Sequence, residues 1–308
     1  MTTSSARPPL RGVWTALMTP LESNDRIAYD LLVAHCRNLF DKGVDGVTLF
    51  GTSGEGQSFS IDERRQALEQ LLASGIPASR VTVGTATSAL PETAALTRHA
   101  AALGVAGVLV LPPFFFKGLS DDGVYAAFAK LCDMLKGIDT RIILYHIPQV
   151  SAVAVSPTVV ARLVKAYPGL IAGVKDSSGD WQNTAEMLKL TPGLAIMVGH
   201  EPFIPRLLKA GGVGTICGVA NVRPALIRQL YDATGKPEEA GLVEAVTKIC
   251  TLVTDVPFVP AIKAMLAEQT GDRRWLNVRP PLVAASEAEQ RRLVAAAKAL
   301  GPAALAAD

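Results

Sequence analysis

The stretch LIAGVKDSSGD, residues 170–180, decides the reading of the whole chain. Its first five residues are apolar or small without alternation, so a strand made from them has no face suited to water. Such a strand belongs to a parallel sheet covered on both sides. A lysine then stands at the strand's end, where a solvated lysine is out of place, and a polar turn follows. Working outward, similar short runs recur: GVWTALM at 12–18, GVTLF at 46–50, RVTVGTA at 80–86, GVLVLP at 107–112 and RIILYHI at 141–147. LAIMVG at 194–199 and VGTICG at 213–218 complete a set of eight.

Between most of these runs lie segments of helical composition with start signals. Ser60 and Glu63 have capping-box spacing, and Ser156 precedes Pro157 at a first helical position. Eight strand–helix units in about 220 residues match the size of a closed barrel. The expected fold class is therefore α/β, a (β/α)8 TIM barrel with a C-terminal helical extension. A doubly wound open sheet requires a G-x-G-x-x-G turn after the first strand, where the sequence reads MTPLES. Residues 224–234 supply a closing helix. The expected organisation is a catalytic barrel over 1–235 and a three-helix extension over 236–308 packed on it, with Ser286 and Glu289 capping the last helix.

The chain of 308 residues is 49% hydrophobic and 19% charged, enough to bury a large core. Its net charge of +2, without runs of Lys or Arg, points to no nucleic acid partner. Cys36, Cys132, Cys217 and Cys250 are far apart in apolar contexts and read as reduced core residues, which suits a cytoplasmic location. The N-terminal MTTSSARPPLRG lacks the pattern of a signal peptide. The longest uncharged apolar run, 100–116, is interrupted by Pro112 and Pro113, so no membrane partner is expected.

In a barrel of this kind, reactive groups project from the C-terminal ends of the strands. That rule gathers Gly51, Thr52, Ser53, Gly54 and Glu55 after strand two, Tyr145 and His146 after strand five, Lys175 and Asp176 after strand six, and Gly199, His200 and Glu201 after strand seven. An amine among small and apolar strand neighbours is partly desolvated. That favours its uncharged form, a nucleophile toward carbonyl carbon, and the resulting imine acidifies the adjacent carbon. A plainer role for Lys175 is to snorkel to solvent or pair with Asp176. Tyr145, one strand away, is placed to relay protons, although a tyrosine there also serves as a core residue with a satisfied hydroxyl. Thr52 and Ser53, among glycines, suit a carboxylate; the same loop also reads as a tight turn alone. GGVGTICG at 211–218 leaves a phosphate site open, with Glu201 arguing against a dianion.

GTSGEG, the tyrosine of LYHIP, and GVKDSSGD at these spacings resemble the dihydrodipicolinate synthase and N-acetylneuraminate lyase family of pyruvate-dependent class I aldolases. The resemblance runs from GVWTALMTPL at 12–21 to RPPL at 279–282. It implies a homotetramer of barrels needing no cofactor and no metal, with pyruvate or another 2-oxo acid as small-molecule substrate. It implies Lys175 as the Schiff-base lysine and Tyr145 as the proton relay. Thr52 and Ser53 would hold the substrate carboxylate, and the backbone carbonyl of Ile216 would lie near the lysine.

Two departures bear on the substrate. Synthases of the family carry a Pro-Gly-Arg type turn whose arginine binds aspartate semialdehyde, whereas this turn reads Pro148, Gln149, Val150, Ser151. They also carry a second tyrosine after strand four, where this chain has Phe114, Phe115 and Phe116. Without a second carboxylate clamp, His146, His200 and Glu201 point to a hydroxylated substrate such as a 2-oxo-3-deoxy sugar acid. True dihydrodipicolinate synthase or N-acetylneuraminate lyase activity is the alternative. More distant readings are a metal-dependent hydrolase or class II aldolase using His146, Asp176, His200 and Glu201, and a non-catalytic protein binding a 2-oxo acid.

Overall fold

The computed structural model describes residues 9–299. Strands and helices alternate through its first half as β1 (Gly12–Ala16) and α1 (Tyr29–Asp41), β2 (Gly46–Leu49) and α2 (Ile61–Ala73), β3 (Val81–Gly84) and α3 (Leu90–Ala102), then β4 (Gly107–Val110) and α4 (Asp121–Met134). The second half continues with β5 (Ile142–His146), a one-turn α5 (Pro148–Ser151) and α6 (Pro157–Ala166), followed by β6 (Ile171–Asp176) and α7 (Trp181–Leu190). β7 (Ala195–Val198) with α8 (Ile204–Lys209) and β8 (Gly214–Cys217) with α9 (Pro224–Asp232) complete the series. α10 (Glu239–Thr254), α11 (Phe258–Thr270) and α12 (Glu287–Ala299) form the C-terminal helices.

The eight strands close into a parallel barrel in sequence order, and β8 returns to β1 with Trp14 opposite Ile216. The expected (β/α)8 fold is thus the observed one. The apolar runs make strands because both faces are covered. Val13, Val47, Val81, Val108, Leu144, Val174 and Ile196 face the helices, while Trp14, Leu109, Ile143, Met197 and Ile216 fill the interior. This parity settles which rim side chains point inward.

The strands are shorter than the runs, chiefly because the last residues of each run turn into the rim. Met18, for example, gives its N–H to Asn221 Oδ1 at 3.0 Å rather than to a neighbouring strand. Only β6 extends past its run, with Asp176 pairing against His146 and Val198. The Ser60–Glu63 capping box forms, and Ser156 Oγ accepts from Val159 N–H with Pro157 opening α6. Ser286 Oγ likewise accepts from Glu289 N–H at 3.3 Å, ahead of α12. Among the described residues no single helix is long and apolar enough to cross a membrane.

The C-terminal helices reach the strand rim. Lys263 on α11 is fully buried and donates to Glu55 in the loop after β2. Lys263 Nζ also donates to Asn277 O at 2.7 Å, and Asn277 Nδ2 to Leu21 O at 2.8 Å. The extension therefore holds the loop that forms one wall of the barrel mouth.

Candidate active site

Tyr145 and Lys175 are ladder partners on β5 and β6, so both side chains share the inner face. Lys175 is 4% exposed, and its Nζ donates to Tyr145 Oη at 3.2 Å while standing 4.2 Å from the centre of that ring. Tyr145 Oη in turn lies 3.3 Å from Thr52 Oγ1, which opens to the mouth. The three polar groups make a continuous path from solvent to the buried amine. Gly199 leaves room for it: a Cβ there would stand 3.2 Å from Lys175 Cε and collide with Ser177 Oγ.

The loop after β2 is held in a demanding conformation. Phe50 and Glu55 both adopt left-handed backbone, with φ of 57° and 54°. Such residues cost about 1–3 kcal/mol each and persist only when their surroundings fix them. Here the surroundings include Gly56 and Gly84, where a Cβ would fall within 2.2 Å of the Phe50 carbonyl oxygen. Gly51 O accepts from Gly56 N–H at 3.2 Å, and Thr19 Oγ1 donates to Gly54 O at 2.9 Å. Ser53 is buried beside Gly218, whose Cβ, were there one, would lie 3.3 Å from Ser53 Oγ. Ile216 sits in the interior cluster on β8.

Parity removes other candidates from the mouth. His146 faces the helix layer, where its Nδ1 accepts from Val155 N–H at 3.0 Å, so its ring does not reach the interior shared by Tyr145 and Lys175. Burial holds its pKa below the usual histidine value, against the attraction of Asp176 and Asp180. Asp176 does not pair with Lys175 either. Its Oδ1 accepts from Ser178 N–H and Oγ at 2.9 and 2.7 Å, and its Oδ2 from Asn183 and Thr184 at 2.9 and 2.7 Å. This carboxylate folds the DSSGD turn and anchors the start of α7.

Glu201 is also committed elsewhere. It is 6% exposed, its Oε1 accepts from Val219 N–H at 2.9 Å, and its Oε2 accepts from Cys250 Sγ at 3.5 Å. The carboxylate thus occupies an amide just past the glycine-rich segment that a phosphate would have used. His200 remains partly exposed, edge-on to Phe203 with ring centres 4.6 Å apart. The tetrad His146, Asp176, His200 and Glu201 does not converge, and the described residues contain no grouping of three or more His, Cys, Asp and Glu side chains that could hold a metal.

Sequence reasoning assigned no role to Glu55, Lys263, Arg279 and Asn221. Glu55 Oε2 accepts from Arg279 N–H at 3.0 Å, and the Arg279 guanidinium spans Ser58 O, Asp25 O and Glu63. Asn221 gathers Met18 N–H, Ala16 O, Gly218 O and His35 at 3.1 Å or less. A glutamate among the glycines and hydroxyls of GTSGEG was the one available signal. Beside Tyr145 and Thr52 opens a cavity of about 380 Å³, walled partly by Leu111, Phe114 and Leu282.

The fold is a closed parallel barrel, and an amine, a phenol and a hydroxyl line up in its mouth. Residues 9–300 match the Dihydrodipicolinate synthetase family model, and the chain belongs to that family, whose members are lyases and aldolases. An uncharacterized DapA-like lyase of Chloroflexus aurantiacus is 37% identical over 93% of this chain and 95% of its own length. A 4-hydroxy-tetrahydrodipicolinate synthase of Endomicrobium trichonymphae is 30% identical, with 83% of each covered. Dihydrodipicolinate synthase from Agrobacterium tumefaciens superposes with a TM-score of 0.88 at 36% identity, over 94% of this chain and 99% of that one. A double variant of the Sulfolobus solfataricus 2-keto-3-deoxygluconate aldolase, at 19% identity and a TM-score of 0.85 over 94% of this chain and 96% of that one, shares the fold.

Proposed function

We propose that the chain is a Schiff-base-forming aldolase or lyase that takes pyruvate or a related 2-oxo acid. The observation that carries this reading is the buried Lys175 amine, 3.2 Å from Tyr145 Oη at the inner end of β6. In this scheme the amine adds to the C2 carbonyl of pyruvate, and Tyr145 passes a proton to the oxygen that leaves as water. Loss of a C3 proton from the imine gives an enamine, whose C3 attacks an aldehyde carbon as that oxygen takes up a proton. One water then hydrolyses the new imine, returning the amine and a 4-hydroxy-2-oxo acid; cleavage is the same sequence reversed. Thr52 and Ser53 hold the carboxylate, and the Ile216 carbonyl faces the reacting nitrogen, as the family resemblance implies.

The sequence-based preference for a 2-oxo-3-deoxy sugar acid rests on the missing second carboxylate clamp together with His146, His200 and Glu201. His146 turns to the helix layer and Glu201 is bound to Val219 and Cys250, which leaves His200. Aspartate semialdehyde fares no better, because Val150 stands in the turn where the family's arginine is expected. The resemblance further points to a cytoplasmic homotetramer. Phe115 and Phe116, 72% and 69% exposed, support coverage by another copy, and the unpaired buried thiols of Cys36, Cys132 and Cys217 support a reducing compartment.

Borohydride reduction in the presence of pyruvate tests the reading. Peptide mass spectrometry is expected to find the reduced adduct on Lys175, and Lys175→Ala to lose both adduct and turnover while keeping the wild-type circular dichroism. An adduct on another lysine, or none, overturns the assignment.

A further inference from the structure

Resting on the enamine chemistry above, we propose that the second substrate is an aldehyde with an apolar substituent, alkyl or aryl, housed in the cavity beside Tyr145. The cavity of about 380 Å³ lies within the span of roughly 300–1,000 Å³ usual for small-molecule sites. Thr52 and Tyr145 mark its reactive end, and Leu109, Leu111, Phe114, Val150, Val259 and Leu282 line much of the remainder.

The polar side chains on its wall are largely consumed by the protein. Both Glu55 oxygens accept bonds, from Lys263 and from Arg279 N–H. The Gln57 amide nitrogen donates to Ala86 O at 2.9 Å, and Ser151 Oγ bonds Ile147 O and Val153 O at 3.1 and 2.9 Å. No Arg, Lys or His is among the described residues lining the cavity. Of the neighbouring cations, Lys117 is turned to the carbonyls of Phe114 and Ser151, and Lys263 is held by Glu55 and Asn277 O. A polyhydroxylated chain entering here would find few partners for its hydroxyls beyond Thr52, Tyr145, the Gln57 amide oxygen and Ser58, and a carboxylate would meet no lining cation. An alkyl or aryl group loses nothing by entering.

The carbon–carbon bond forms between the enamine C3 of bound pyruvate and the aldehyde carbon. The enamine π pair makes this bond, the aldehyde C=O π pair moves onto its oxygen, and that oxygen gains one proton. Hydrolysis with one water frees the amine, so pyruvate and aldehyde together equal the 4-hydroxy-2-oxo acid, with no oxidant or reductant.

The test supplies the purified full chain with pyruvate and, separately, benzaldehyde, hexanal, glyceraldehyde or succinic semialdehyde, and reads the 4-hydroxy-2-oxo acid by mass spectrometry. We expect kcat/KM for benzaldehyde or hexanal to exceed that for the two polar aldehydes by about 10-fold or more. A preference for glyceraldehyde or succinic semialdehyde, or no turnover of either apolar aldehyde, overturns the proposal. If borohydride still traps pyruvate on Lys175 in those cases, the Schiff-base reading survives and only the acceptor class falls; if it does not, both fall. Val150→Arg adds a cation to the wall at a position 60% exposed, which a folded barrel tolerates. It is expected to shift the ratio of benzaldehyde to succinic semialdehyde efficiency by about 10-fold toward the carboxylated aldehyde, and an unchanged ratio counts against the cavity as the acceptor site.

Discussion

Whether a side chain can act here is decided by which way its strand position points. Lys175 and Tyr145 meet on the inner face, while their chain neighbours Asp176 and His146 point to the helices and are satisfied there. The sequence displayed all four as rim residues. Applying the two-residue period of a strand from Lys175 would have excluded its neighbour, and the same step from Tyr145 would have excluded His146. Glu201 was harder to read, because its partners Val219 and Cys250 are 18 and 49 positions away. Since Tyr145 Oη bridges the amine and Thr52 Oγ1, Tyr145→Phe is expected to lower kcat by about 100-fold while changing the KM for pyruvate much less. Stopped-flow measurement of imine formation checks this; an unaltered rate rules out the relay.

At the scale of the element, the loop after β2 is legible as a motif but not as an anchored structure. GTSGEG announces a turn rich in glycine and hydroxyls, yet nothing local states that its glutamate meets a lysine 208 positions later. Burial lowers the Lys263 pKa against the opposing pull of Glu55, so the pair depends on its own contact. Removing one partner from a buried pair leaves an uncompensated charge and costs about 3–5 kcal/mol. Lys263→Met is therefore expected to destabilise the fold by that order in urea unfolding. Adding Glu55→Gln should restore part of the loss, and a double variant no more stable than the single one would deny the coupling.

For the molecule as a whole, the eight apolar runs pointed to a parallel sheet covered on both faces, and their number, with MTPLES in place of a G-x-G-x-x-G turn, pointed to the barrel. What fastens the closed ring was not visible. It is fastened by Asn221, which bonds Ala16 O and Met18 N–H from the first strand's end and receives a bond from His35 Nε2. His35 is buried, and its pKa is pushed down to about 4 by that burial, partly offset by Asn221. The folded state therefore keeps His35 neutral while the unfolded chain takes up a proton near pH 6.5. Stability from this group is complete above pH 6.5 and drains away as the pH falls toward 4, by about 3 kcal/mol in all. Denaturation midpoints across that interval are expected to fall, and His35→Gln to flatten the slope; an equal slope in the variant would assign the acid sensitivity to other groups.

The clasp between Asn221 and the segment after the first strand also sets an order of events at the ribosome. A nascent chain that has released Lys175 and Tyr145 still lacks the eighth strand, the asparagine that seals the cylinder, and the α11 lysine that secures the β2 loop. The mouth of the barrel is therefore completed late, once synthesis has passed the residues that shut the ring and secure its wall.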